Sequence, residues 1–248
     1  MSLARLVRAE FVKAITMRSV WITLAAACLV PPVLALAAGL SFNGADARWA
    51  TFPVESHGFE TAGFGQPLVI LLAALIVGSE FMDGQLRTSL MVVPRRLKLF
   101  AAKFTVVVLL SLAVALVAIP LAVVIKHTVL GEHGLPISEY TARMAWNLLG
   151  VVINYVLIGV IAGGFTLITR SITATLVVLV PLVLGLTISL LGVAPFLKYL
   201  PDLAGIQLLT DYPGVGLLDP IPGALVMLAW TVAIAFSAAL IFRRRDVG

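Results

Sequence analysis

Six apolar runs, each about as long as a bilayer's hydrocarbon core is thick, constrain this chain more than any other feature. They cover residues 20–40, 61–79, 104–125, 146–168, 172–193 and 222–242. Roughly 20 apolar residues cross the core as a helix, and lipid tolerates only elements that satisfy their own backbone groups. Hydrophobic residues make up 61% of the 248 and charged residues 12%, against about 45–50% and about 25% in a soluble domain. The expected fold is an all-α polytopic membrane protein, one domain over 1–248 with six transmembrane helices. The single cysteine, Cys28, lies in the first run and has no intrachain partner for a disulfide.

Two runs need separate comment. In the second, the continuous apolar stretch is only 67–77, behind Gly63, Gly65 and Gln66. It is read as short, tilted or opening into a wider aqueous mouth. The first precedes Ala45-Asp46-Ala47, a small-x-small pattern of the kind signal peptidase cleaves. Its length and the internal Pro31-Pro32 exceed a signal peptide's apolar region, so it is read as a retained helix.

Charge bias then orients the chain. With the N-terminus inside, segments 1–19, 80–103, 169–171 and 243–248 hold 13 of the 17 Lys and Arg residues. Arg48, Lys126, Arg143 and Lys198 remain for the outer loops, together with most of the acids. The positive-inside rule selects both termini cytoplasmic. The pI of about 9.7 reflects this bias and attraction to anionic membrane lipid, not a nucleic-acid footprint.

Residues 2–17 read as an amphipathic interfacial helix, with Leu3, Leu6, Val7, Phe11 and Ala14 on one face. A plain basic flank that only sets topology is the alternative. Glu10 favours the helix, because it falls on the apolar side and there needs a cation or a helix-start donor. Residues 194–221 mix four prolines and three glycines with apolar residues. They read as short helices in or dipping into the outer interface, or as a proline-rich loop. Pro31-Pro32, Pro120 and Pro181 would kink or break their spans unless neighbours satisfy the freed carbonyls. Gly163-Gly164 permits close helix approach. Asn147 and Asn154 share a face two turns apart, fitted for hydrogen bonds between helices or for a cargo contact.

Reactive chemistry is missing where it would be needed. The chain has no phosphate-cradling Gly-x-x-x-x-Gly-Lys-Ser/Thr loop. His57, His127 and His133 all fall in outer loops without ligand spacing and read as solvated. No span carries an ionisable group near its middle, where ion-coupled transporters place theirs. Glu80 and Asp83, one turn apart near Arg87, suit ion pairing and capping better than acid–base catalysis.

The segment 78–103 is a basic insert between the second and third spans, which its charges hold at the membrane surface. Its Glu80-Phe81, Gly84-Gln85, Arg87-Thr88-Ser89-Leu90, Pro94-Arg95-Arg96 and Ala102-Lys103 resemble the cytoplasmic coupling region of type-2 ATP-binding-cassette (ABC) exporter permeases. Gln85 stands where that family often has Thr. The run Glu10-x-x-Lys13-x-x-Thr16-x-Arg18-Ser19-x-Trp21 is similar to the family's N-terminal interfacial helix. Phe242-Arg243-Arg244-Arg245-Asp246 is similar to its basic C-terminal flank.

The resemblance implies a bacterial plasma-membrane permease subunit of an ATP-driven exporter, with no nucleotide site of its own. Its partners would be a cytoplasmic ABC ATPase dimer that holds MgATP, and a second permease copy or paralogue. Residues 84–99 would contain the coupling helix, with Gly84, Arg87, Pro94, Arg95, Arg96 and Lys98 contacting the ATPase. Asp83 would pair with Arg87, Glu80 with a base of the interfacial helix, and Glu10, Lys13 and Lys103 would complete the ion pairs. Cargo would be lipophilic or amphipathic: a drug, peptide antibiotic, lipid or glycan. It would pass between two permeases along the first, second and fifth spans. A non-transporting scaffold or immunity protein, and a polytopic membrane enzyme, are the competing readings. The enzyme reading lacks converging acid, base and nucleophile.

Overall fold

The computed structural model describes residues 2–42, 53–81, 96–210 and 216–244. Gly84, Arg87, Pro94 and Arg95, named above for coupling, and Asp83, named for an ion pair, lie outside the described residues, as does Arg245.

Helix α1, Leu3–Thr16, starts at Ser2, whose Oγ accepts from the Arg5 N–H at 3.4 Å. It buries Leu6, Glu10 and Ala14 along one stripe. Met17 takes an extended conformation (φ −75°, ψ 122°), and the chain turns at once into α2, Arg18–Leu40. Pro31 and Pro32 are both buried inside α2, which runs on through them. Two single 3₁₀ turns, Val54–Ser56 and Phe59–Thr61, lead into α3, Ala62–Gly78. Gln66 is buried in that helix, not exposed to an aqueous mouth.

Helix α4, Arg96–Leu130, has 35 residues and so is about 50 Å long at 1.5 Å per residue. It outruns the apolar run 104–125 at both ends, taking in Lys98 and Lys103 before it and Lys126 and His127 after it. Helix α5, Ala142–Thr169, is capped by Thr141 Oγ1, which accepts from the Met144 N–H at 3.4 Å. It ends at Arg170 in the left-handed region (φ 54°), and Ser171 caps α6, Ile172–Pro181, through the Ala174 N–H at 3.1 Å. Only two residues therefore separate α5 from α6, and a Thr166–Thr175 hydroxyl hydrogen bond of 2.8 Å holds the hairpin closed.

Beyond Pro181 the fifth span loses regular α geometry. A π turn, Leu182–Leu186, contains Gly185 at φ 114°, which favours glycine. The short α7, Thr187–Leu190, follows. The next segment forms a 3₁₀ turn Pro195–Tyr199, α8 Pro201–Ala204 and a 3₁₀ turn Ile206–Leu208. Its residues 201–205 and 207–209 are buried, so it packs into the bundle and does not loop over it. Two glycines make this possible. A Cβ at Gly150 would lie 2.5 Å from the Leu208 carbonyl oxygen, and one at Gly223 only 2.1 Å from that of Ala204. Helix α9, Pro220–Arg244, closes the bundle.

Six helices among the described residues are long and apolar enough to cross a membrane. Helices α3 and α5 form the centre, with Ile70, Leu72, Tyr155, Ile158 and Ile161 fully buried. Helices α6 and α9 are mostly peripheral and present Val177, Leu225 and Phe236 outward. Between such helices lipid already solvates apolar side chains, so close packing and polar contacts supply the specificity. Gly164 is one such close approach, where a Cβ would come within 2.6 Å of Ile234 Cγ2 on α9.

Candidate functional site

The charged residues of α1, α3 and α4 converge at the end of the bundle that carries both described termini. Glu10 projects from the buried stripe of α1, Glu80 from the 3₁₀ turn Ser79–Phe81 that ends α3, and Lys103 from the second turn of α4. Lys103 Nζ donates to Glu10 Oε2 at 2.6 Å and to Glu80 Oε1 at 3.0 Å. Lys13, one turn beyond Glu10, donates to the same Glu80 Oε1. Two acids and two bases thus form a chain, Glu10–Lys103–Glu80–Lys13, with no net charge.

Glu10, Glu80 and Lys103 are nearly inaccessible, and only Lys13, 31% exposed at its side chain, reaches the surface. Removing charges from water costs several kcal/mol per ion, and pairing offsets it only when geometry is good and partners are complete. Here one carboxylate atom, Glu80 Oε2, has no hydrogen-bond partner among the described residues. Beside it lies a void of about 10 Å³ bordered by Val77, Leu99, Phe104 and Phe242. The cluster is therefore tightly tied but not saturated.

Its surroundings fix the ends of the segment that the described residues leave out. On one side Glu80 is held by two lysines, and the Arg170 guanidinium lies 5.8 Å from the centre of the Phe81 ring. On the other, Arg96 Nη1 donates to the Phe242 carbonyl at 3.3 Å, joining the start of α4 to the end of α9. Phe100 stacks on Phe104 at 4.2 Å and approaches Phe242 at 6.5 Å. Phe81 and Arg96 are therefore each anchored to another element within a few residues of the cluster. Lys98, named for coupling from sequence, lies in the first turn of α4 without a cluster contact.

The opposite half of the bundle uses different chemistry. Asn154 on α5 is fully buried; it accepts from Gln66 Nε2 at 2.8 Å and donates to the Gly205 carbonyl at 2.9 Å. Tyr155 donates to the Ala62 carbonyl at 2.7 Å. One α5 turn pair thereby joins α3 to the segment between α8 and α9. Asn147 shares that face but not those bonds: it is 5% exposed, and its Nδ2 has no partner among the described residues.

Two expectations are corrected at this end. Lys126 and His127 belong to α4 and are buried, not loop residues in solvent. Lys126 pairs with Glu60 at 3.4 Å, and His127 Nδ1 accepts from the Leu135 N–H at 2.9 Å. His57 is half-buried with its ring 6.1 Å from that of His127, and His133 is exposed. Among the described residues no group of histidine, cysteine or carboxylate side chains is arranged to hold a metal. Asp202 of α8 is buried and accepts from Thr187 Oγ1 of α7, while its Oδ1 lacks a partner among the described residues. Burial pushes this carboxyl above the ordinary range, against the Thr187 hydrogen bond, which pulls it down.

The chain matches the model of a family described as ABC-2 family transporter protein over residues 6–197. That is well over half of its 248 residues, and the chain belongs to this family. No curated protein is similar enough to count as a match. The matched region begins inside α1 and includes Glu10, Lys13, Glu80 and Lys103. It is the membrane subunit of an ABC transporter rather than an enzyme by itself.

Proposed function

We propose that this member of the ABC-2 family is the permease of an ATP-driven exporter, powered through residues 84–99 and regulated mechanically by the Glu10–Lys103–Glu80–Lys13 cluster. Both termini and the 82–95 segment face the cytoplasm of a bacterial plasma membrane, an orientation that the basic bias supports. A cytoplasmic ATPase dimer binds MgATP and presses on that segment. A second permease, identical or paralogous, completes the path for a lipophilic or amphipathic cargo. Gly84, Arg87, Pro94 and Arg95 contact the ATPase, and Arg96 and Lys98 carry the contact into α4.

The observation that carries this reading is the sharing of Lys103 between Glu10 and Glu80, at 2.6 and 3.0 Å. Force on residues 82–95 arrives at the Glu80 end of α3 and the first turns of α4. There it meets a cation that can lean toward either acid. Packed interfaces respond to such loads by switching between discrete arrangements rather than by bending. Moving Lys103 toward one carboxylate loosens its hold on the other, so the interfacial helix α1 is released from α3 or tightened onto it. The ATPase stroke is thereby turned into a relative movement of α1, α3 and α4.

The test is co-purification with the ABC ATPase encoded beside the gene, followed by ATP turnover in lipid vesicles. Wild type is compared with an Arg95→Glu, Arg96→Glu double variant and with Glu80→Gln. Stable complex formation is expected in the wild type, with loss of the complex in the arginine variant. In Glu80→Gln the complex should persist while turnover falls. Absence of any ATPase partner, or turnover indifferent to all three changes, rejects the coupling assignment.

A further inference from the structure

At the end of the bundle that carries the charged cluster, a groove of about 460 Å³ runs between α1 and α4. Leu3, Val7 and Phe11, one stripe of α1, form one wall, and Thr105 and Leu109 of α4 form the other. The Thr105 hydroxyl donates to the Ala101 carbonyl at 2.8 Å, so this wall offers a ligand no free donor. Leu109 and Leu116, two turns apart on α4, are 44% and 49% exposed. They continue the apolar track along the membrane-crossing helix, away from α1.

Arg8 makes the site more than an apolar face. Its side chain lines the groove and is exposed, so a ligand lying there reaches the guanidinium directly. Lys13 of the same helix is spent on Glu80, whereas Arg8 has no ion pair among the described residues. Around α1, Arg8 falls between the Leu3–Val7–Phe11 stripe and the exposed Arg5. A helix divided in this way lies with its apolar stripe in hydrocarbon and its arginines at headgroup level. One cation at phosphate depth therefore stands at the head of an apolar track. The occupant that complements both is a molecule with a negative head and a hydrocarbon tail, and basic pockets beside membrane helices hold such lipids.

We infer that this groove binds one anionic phospholipid, its phosphate on Arg8 and an acyl chain along Leu109 and Leu116. A guanidinium suits the role, since its fork donates to two phosphate oxygens at once. The Glu10–Lys103 pair ties the buried stripe of α1 to α4, and the lipid ties the adjacent flank of α1 to the same helix. The interfacial helix is thereby braced on two sides, by protein charges on one and by the bilayer on the other. Lipid composition then sets how firmly α1 is held. Binding requires neither an ATPase nor transport, so it stands or falls separately from the proposed function.

The experiment is native mass spectrometry of the delipidated full-length protein titrated with dioleoyl phosphatidylglycerol or dioleoyl phosphatidylcholine, which differ in head charge but not in chains. One tightly retained phosphatidylglycerol per chain is expected, preferred about fivefold, the ratio that one base beside an anionic headgroup supplies. Arg8→Gln loses that preference, whereas Arg5→Gln, which removes the same charge from outside the groove, keeps it. Ala4→Phe, which fills the groove from its α1 side, loses the lipid. Equal binding of the two lipids by wild type, or a preference that survives Arg8→Gln, overturns the proposal. So does a preference lost equally in Arg5→Gln, which marks diffuse surface attraction and not a site. Lipid retention in an Ala4→Phe protein that melts like wild type overturns it too. Efficient cross-linking of Leu109→Cys between two copies in vesicles does the same, because a second copy would then cover the groove.

Discussion

The two halves of this bundle solve the same problem with opposite chemistry. At the end carrying the termini, α1, α3 and α4 are joined by four charges, and Lys103 serves two carboxylates at once. Across the bundle, α3, α5 and the segment before α9 are joined by neutral amides, with Asn154 bonded on both its oxygen and its nitrogen. A cation between two acids can shift from one to the other at small cost, since both positions are paired. The carboxamide has no second arrangement that keeps Gln66 and Gly205 satisfied. The charged node is therefore suited to a joint that moves, and the amide node to one that holds.

The sharpest way to break this contrast is Lys103→Met. It leaves Glu10 and Glu80 buried with only Lys13 between them and should destabilise by about 3–5 kcal/mol, as loss of one partner in a buried pair does. Adding Glu10→Gln should restore much of the loss in detergent melting curves; failure to do so would mean that the lysine's packing, not its charge, matters. Asn154→Leu comes next, at about 3 kcal/mol, because the Gln66 donor and Gly205 acceptor both lose their partner. Its ATP turnover per folded complex should match wild type, and a fall there would erase the distinction between moving and holding joints.

Lys13→Gln tests the same distinction from the other side. Lys13 is partly exposed, so solvent screening limits the stability change to about 1 kcal/mol. Turnover should nevertheless fall further than in Asn154→Leu.

The smallest effect is a pH dependence at Asp202. Its folded carboxyl titrates above its unfolded value, so between the two the folded chain binds more protons. Stability from this group is then greatest in acid and declines as pH rises through that window. The melting-temperature difference between wild type and Asp202→Asn should shrink or reverse from acid to neutral pH. A flat difference would show that Asp202 stays in one protonation state.

Much of this architecture could be read from residue order, for reasons that also mark where reading failed. Spans follow from hydropathy because lipid is a solvent with a sharp boundary, but hydropathy reports surroundings, not hydrogen bonding. Helix α4 therefore continues past both ends of its apolar run. Hydropathy alone puts Lys126 and His127 in an outer loop for that reason. The overlooked signal was spacing: Ile119, Ala122, Val123, Lys126, His127 and Leu130 continue one buried helical stripe. Glu10 is legible because a carboxylate on an apolar face demands a partner, and Glu80 because it ends a span. The pairing of Gln66 with Asn154 was hidden, since 88 residues separate them and nothing local to either names the other. The inward packing of 201–209 was equally obscure, as it depends on backbone approaching Gly150 and Gly223.

The π turn Leu182–Leu186 carries a consequence for how far displacement travels. An unbroken helix moves as a stiff rod, so a push at one membrane face is delivered at the other. Here the rod is Ile172–Pro181, and past it Gly185 turns the chain in a conformation that no α-helix contains. Sideways motion of the Ile172 end is absorbed at this elbow, while Thr187 on the far side stays tethered to Asp202. One face of the membrane can then yield while the other remains shut.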